Sequence, residues 1–239
     1  MPHATVHFRP TKWQIASSLI LLGLPFVFLL GFARGFGLRP SVLFTDLGVS
    51  SARLAIAYLI AVTLAWISAA AFHRGRASTV ALPFFDVLQS FPTFAALPLA
   101  VVIWGRSNLT VIVFLVLTVI WPIFFSIISS LRLVKNDWEE AVEMARLTRW
   151  EYVRLFLIPV SIPGLITGSI VGLGEGWEAL VATEIVVQIP NGLGGFFQHY
   201  ASDFPVTALG ILGLLLFIFS LNKLLWLPLL ERGHRMMGE

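Results

Sequence analysis

Six apolar stretches, at residues 15–32, 54–72, 82–104, 109–131, 162–187 and 206–227, divide the chain. Each is close to or above the roughly 20 residues that a helix needs to cross the hydrocarbon core of a bilayer. In lipid every backbone N–H and C=O has to be satisfied within the segment, which selects helices. The pattern predicts an all-α polytopic membrane protein with six transmembrane helices. The first stretch follows Arg9 and Lys12, as in a signal peptide. It is longer than the roughly 7–15-residue signal core and no A-x-A site follows, so it is read as a retained first helix. The third stretch is interrupted by Pro83, Pro92 and Pro98.

A polar segment, residues 132–157, separates the fourth and fifth stretches. Trp138, Ala141, Val142 and Ala145 recur at helical spacing, which gives that helix one apolar face. Asp137 can cap it, with Glu140 three residues on. Thr148 and Glu151 stand at capping-box spacing ahead of Trp150, Val153 and Leu157. Pro159 disfavours helix at Ile158 and predicts a turn into the fifth span. Two short helices at an angle on the membrane face are expected. A surface pair that only closes the bundle would give the same pattern.

Composition narrows the class. The chain of 239 residues is 57% hydrophobic and 12% charged, against about 25% charged in an average soluble domain. That excludes an ordinary cytosolic enzyme and a disordered or collagen-like chain. The spans leave only short loops, so residues 1–239 form one transmembrane domain with a loop at about 132–160. There is no cysteine, hence no disulfide framework, thiol catalysis or Cys-ligated metal. The net charge of +3 reads as basic residues held at one membrane face, with no nucleic-acid partner. Six spans put both termini on one side. Of the 16 lysines and arginines, 12 fall there; Arg34, Arg39, Arg53 and Arg106 fall opposite, three of them in the first outer loop. The bias places both termini in the cytoplasm.

Two spans carry polar groups at membrane depth. In the fifth, Gly164, Gly168, Gly172 and Gly176 recur every fourth residue, a ridge on which another helix backbone can approach closely. The same span holds Glu175, Glu178 and Glu184. A charge at mid-bilayer costs at least about 2.5 kcal/mol, so each requires a reason. Glu175 and Glu178 lie about 60° apart on a helix, and Glu184 projects elsewhere. They do not converge as an acid–base pair or a metal cage, and no histidine stands at ligand spacing in a span, so hydrolysis and metal catalysis are set aside. Glu175 and Glu178 either line a water-filled path or fix packing. In the third span Asp86, Gln89, Ser90 and Thr93 follow i, i+3, i+4, i+7 and are expected to share one face. Pro92 frees a carbonyl there, and interrupted polar helices commonly border transport cavities.

Glu140-Ala141-Val142, three residues, Arg146, nine residues, then Phe156-Leu157-Ile158-Pro159 resembles the EAA loop of ABC-importer permeases. Residues 88–105, with Leu88-Gln89-Ser90-Phe91-Pro92 and Trp104-Gly105, are similar to the third-span signature of the nitrate/sulfonate/taurine group. So are Ile162-Pro163-Gly164, Gly168, Gly176-Trp177 and Thr183-Glu184. The resemblance covers roughly residues 50–230. It implies that Glu140 and Ala141 shape a coupling helix, and that Thr148, Arg149 and Trp150 meet a separate ATP-hydrolysing subunit. Glu184 matches a shared acidic position and is expected to fix packing. Arg146 stands where the family has glycine. Either the turn shifts to Leu147-Thr148, or Arg146 contacts the partner through its charge.

No phosphate-binding loop exists in this chain, since Lys12, Lys135 and Lys223 are its only lysines and none follows a glycine. The resemblance implies a non-enzymatic inner-membrane subunit without a cofactor of its own, ATP being bound by the partner ATPase. It implies a second permease chain, expected as a homodimer in the lipid bilayer, and a substrate-binding protein at the outer loops near residues 192–203. The cargo would be a nitrate-, sulfonate- or taurine-type anion or a related small organic molecule. The rival expectation is a proton-coupled secondary transporter using the intramembrane glutamates.

Overall fold

The computed structural model describes residues 12–134, 138, 140, 142, 144–226, 228 and 229. Helix α1 spans Lys12–Gly35 and α2 spans Pro40–Phe72. Helices α3 (Gly75–Gln89) and α4 (Thr93–Trp104) follow. Helix α5 is Asn108–Arg132, α6 is Arg149–Val187, α7 is Leu193–His199 and α8 is Phe204–Trp226. Among the described residues, α2, α5, α6 and α8 are long and apolar enough to cross a membrane, and α3 with α4 qualifies as one bent pair. The remaining expected span lies in α1, where Phe26–Gly35 is apolar. The fold is all-α and polytopic.

Three boundaries differ from expectation. Helix α2 begins at Pro40, well before the apolar stretch at 54, with proline at its first position, where the missing N–H costs nothing. Its added turns carry Asp46, Ser50 and Arg53, whose partners lie far away in sequence. The third span is two helices bent by 79°. Pro92 has no N–H for the helical bond to Leu88; instead the Phe91 N–H takes the Leu88 carbonyl and the Ser90 N–H takes that of Val87, both at 3.1 Å.

The expected break at Pro159 does not occur. Helix α6 runs unbroken for 39 residues. Its first turn, Arg149–Tyr152, is followed by a π-helical turn at Val153–Leu157, and the α-helix resumes at Ile158. A π turn opens the helix by one residue per turn. That relieves the clash a proline ring otherwise makes with the carbonyl four residues back.

Helix α5 is the centre of the bundle. It buries Val111, Leu115, Val119, Ile123 and Ile127, one stripe at intervals of four. Helices α2 and α6 pack on it most closely. Helix α2 buries Ala57, Ala61, Ala65 and Ala69 completely, so small side chains let it approach. Helix α6 brings its glycine ridge to α5. A β-carbon at Gly168 would lie 2.6 Å from the Ile123 Cα, and one at Gly172 would lie 3.1 Å from the Val119 carbonyl oxygen. At Gly164 it would collide with the Ser126 carbonyl, and at Gly176 it would sit 2.9 Å from Leu54 Cδ1. Hydrogen bonds tie the remaining pairs. Tyr58 and Ser169 hydroxyls meet at 2.8 Å, Trp66 Nε1 donates to Ser161 at 2.9 Å, and Arg132 donates to Ser78 at 2.7 Å.

Candidate functional site: a polar cavity, an exposed helix start and a buried ion pair

The bend between α3 and α4 opens a cavity of about 810 Å³ against α5 and α6. Gln89, Ser90 and Thr93 line it from the bend, Thr118 and Trp121 from α5, and Glu175 from α6. The bend breaks the single face expected for Asp86, Gln89, Ser90 and Thr93. The first three close α3, and Thr93 opens α4 in a new direction. Asp86 is not part of the lining; it holds the Gln89 amide, whose Nε2 donates to its carboxylate at 2.6 Å. Glu178 is exposed on α6 one turn beyond Glu175 and also lies outside the lining. Thr118 and Trp121 carry no sequence signal of their own, because they sit in an unbroken apolar run.

At one end of the bundle α5 finishes and α6 begins. Residues 138, 140, 142 and 144 there are helical, and Glu140 is exposed. Ala141 and Asp137 lie outside the described residues. Thr148 caps α6. Its hydroxyl accepts from the Glu151 N–H, and the Glu151 carboxylate accepts the Thr148 N–H at 2.9 Å, so the capping box is formed. Arg149 and Trp150 are exposed, as is Arg146. Trp138 is 51% exposed, Met144 78% and Trp150 69%.

Arg146 has φ +47°. The left-handed turn therefore falls at Arg146 itself, and does not move to Leu147-Thr148. A left-handed arginine costs roughly 1–2 kcal/mol from the clash of its Cβ with the following carbonyl oxygen.

At the opposite end of α6, Glu184 is fully buried and pairs with Arg53 of α2. The Ser50 hydroxyl donates to the same carboxylate at 2.8 Å, and the Gly194 N–H does so at 2.9 Å. Arg53 also donates to the Asn191 carbonyl at 2.7 Å and to the Asn108 side chain at 2.9 Å. Ser50 accepts the Leu193 N–H at 2.8 Å, and Asp46 accepts the Gly192 N–H at 3.0 Å. A buried charge has to be paired and hydrogen-bonded, and here the partners come from α2, the start of α5 and the 191–194 turn. Gly192, at φ +113°, has no room for a side chain: a β-carbon would lie 2.7 Å from Ser50 Oγ. Arg53, expected in an outer loop, stands inside α2. Its signal was the spacing of Asp46, Ser50 and Arg53, i, i+4, i+7, which marks one helical face.

Residues 61–227 match the family described as the binding-protein-dependent transport system inner membrane component. The chain belongs to this family. Relatives include the bicarbonate transport system permease protein CmpB of Synechococcus elongatus, 28% identical over 141 residues, 56% of this chain and 51% of the relative. The nitrate import permease protein NrtB of Leptolyngbya laminosa is 29% identical over 195 residues, 77% of this chain and 68% of the relative. The taurine transport system permease protein TauC of Escherichia coli is 26% identical over 144 residues, 59% and 52%. The match thus spans about half the length of the bicarbonate and taurine relatives. Within the matched region lie the bend, the glycine ridge, the start of α6 and Glu184; α1 and Arg53 lie before it.

Proposed function

We propose that this chain is the permease subunit of an ATP-driven importer in the inner membrane. It carries a small solute along a path that includes the Glu175 cavity. Two copies face each other across that path, a substrate-binding protein delivers cargo at the 188–203 end, and ATPase subunits dock at the 138–150 end. Both termini lie on the ATPase side.

The observation that carries this reading is the exposure of Trp138, Met144 and Trp150, with Glu140 and Arg149, between α5 and the first turn of α6, in a chain of the permease family. A group of large exposed apolar side chains among charged ones marks a docking surface for another protein. The continuity of α6 supports the coupling step. Arg149 and Glu175 stand on one helix, about 39 Å apart at 1.5 Å per residue. A tilt imposed on the capped end by closure of the ATPase pair therefore reaches the cavity wall directly. The chain acts by gating, with no covalent chemistry of its own.

The test is purification of the chain from its native membranes with and without Glu140→Ala plus Arg149→Ala. A P-loop ATPase that accompanies the native chain and is lost with the double variant supports the reading. Uptake that survives ATP depletion and stops when the proton gradient is collapsed would instead make Glu175 a proton carrier.

A further inference from the structure

We infer that the cavity between the α3–α4 bend and α6 selects a small organic cation. This rests on the path reading above. Glu175 is the one charged side chain of the lining, and no lysine, arginine or histidine joins it among the described residues. Nor does any described residue donate a hydrogen bond or an ion pair to its carboxylate.

The contrast with Glu184 makes this informative. Both carboxylates stand on α6 at membrane depth. Glu184 is neutralised by Arg53 and receives Ser50 and the Gly194 N–H. The fold thus supplies full compensation where a carboxylate serves packing. At Glu175 it leaves the charge open to the cavity, and Glu178 adds the same sign one turn away.

The neutral polar groups point to the same class. Ser90 donates its hydroxyl proton to the Asp86 carbonyl at 3.1 Å, Thr93 to that of Phe91 at 3.2 Å, and Thr118 to that of Phe114 at 3.0 Å. Each hydroxyl has one proton, so what these side chains still offer is acceptor lone pairs. The donors left in the lining, the second amide proton of Gln89 and the Trp121 indole N–H, are neutral and set no positive charge against an anion. A cation with N–H groups meets acceptors and a carboxylate. Phe91, Phe94, Trp121 and Phe125 also line it, and aromatic rings attract organic ammonium groups.

The absence of cysteine makes this directly measurable. Ser90→Cys is introduced into the chain, which is expressed with its partners and kept in membranes. Modification of this chain is followed by mass with two thiol reagents of similar size, the trimethylammonium-ethyl and the sulfonato-ethyl methanethiosulfonates. Rates are normalised to those with a free thiol, and Ser202→Cys, on an exposed loop, serves as the accessible control. The expected result is about tenfold faster reaction with the cation at Ser90→Cys, in line with charge focusing in a cleft, and loss of most of that preference on adding Glu175→Gln. Equal or faster reaction with the sulfonate overturns the cation assignment and leaves the path reading intact. Failure of both reagents at Ser90→Cys while Ser202→Cys reacts overturns the path reading itself. Thr118→Cys, on the opposite wall, repeats the comparison should Ser90→Cys not assemble. The preference of the parent decides the matter should Glu175→Gln not assemble.

Discussion

Arg53 and Glu184, 131 residues apart in sequence, meet in a buried ion pair that also gathers the 191–194 turn. Removing one partner leaves the other charged and dry, which typically costs about 3–5 kcal/mol. Arg53→Met and Glu184→Gln are each expected to lower the denaturation midpoint of the purified chain strongly. The double replacement is expected to be less destabilising than the sum of the two. A double-mutant cycle on thermal or denaturant unfolding measures this coupling. Additive effects would show that the pair contributes nothing as a pair.

The glycines of α6 fall into two kinds. Gly168 meets the α5 backbone, whereas Gly174 has open space around it. Gly168→Ala forces the seam apart and is expected to destabilise by about 1–3 kcal/mol. Gly174→Ala adds helix propensity and is expected to be neutral or stabilising by up to about 1 kcal/mol. The two unfolding curves should shift in opposite directions or differ clearly in size.

Arg146→Gly is expected to stabilise the turn by about 1 kcal/mol, since the left-handed conformation then costs little. Arg146→Ala keeps that cost and removes the charge. ATPase stimulation measured on both separates the two roles. A loss shared by both variants assigns Arg146 a contact with the partner, while a change confined to Arg146→Gly assigns the effect to the turn.

Pro92→Ala returns an N–H to the break between α3 and α4. The bend is expected to relax, and Ser90 and Thr93 to leave the cavity wall they now share. Uptake by the assembled transporter should fall while ATPase binding at the coupling end stays unchanged. Pro98→Ala, inside α4, is the matched control and should have the smaller effect on uptake.

Much of the bundle was legible because lipid leaves few choices. The apolar runs of α5 and α8 and the capping box at Thr148 follow from composition and local hydrogen bonding alone. The start of α2 was hidden because Asp46, Ser50 and Arg53 look like loop residues until their partners at 184–194 are known. The bend at Ser90–Pro92 and the passage through Pro159 involve the same residue type with opposite outcomes. A π turn absorbs one proline and nothing absorbs the other, and that difference lies in tertiary packing rather than in the local sequence. Glu175 was visible as an expensive residue, but which wall it faces depends on the bend.

The π-helical turn at Val153–Leu157 has one further consequence. It holds one residue more than an α-helical turn, and each residue of an α-helix advances the azimuth by about 100°. The extra residue therefore sets the angular phase between Trp150 at the start of α6 and Glu175 at the cavity. Deleting a single residue there would leave both surfaces chemically whole yet index them to different sides of the helix, like a gear remounted one tooth out. Chimaeras that join the coupling end of one permease to the transmembrane part of another have to keep this count.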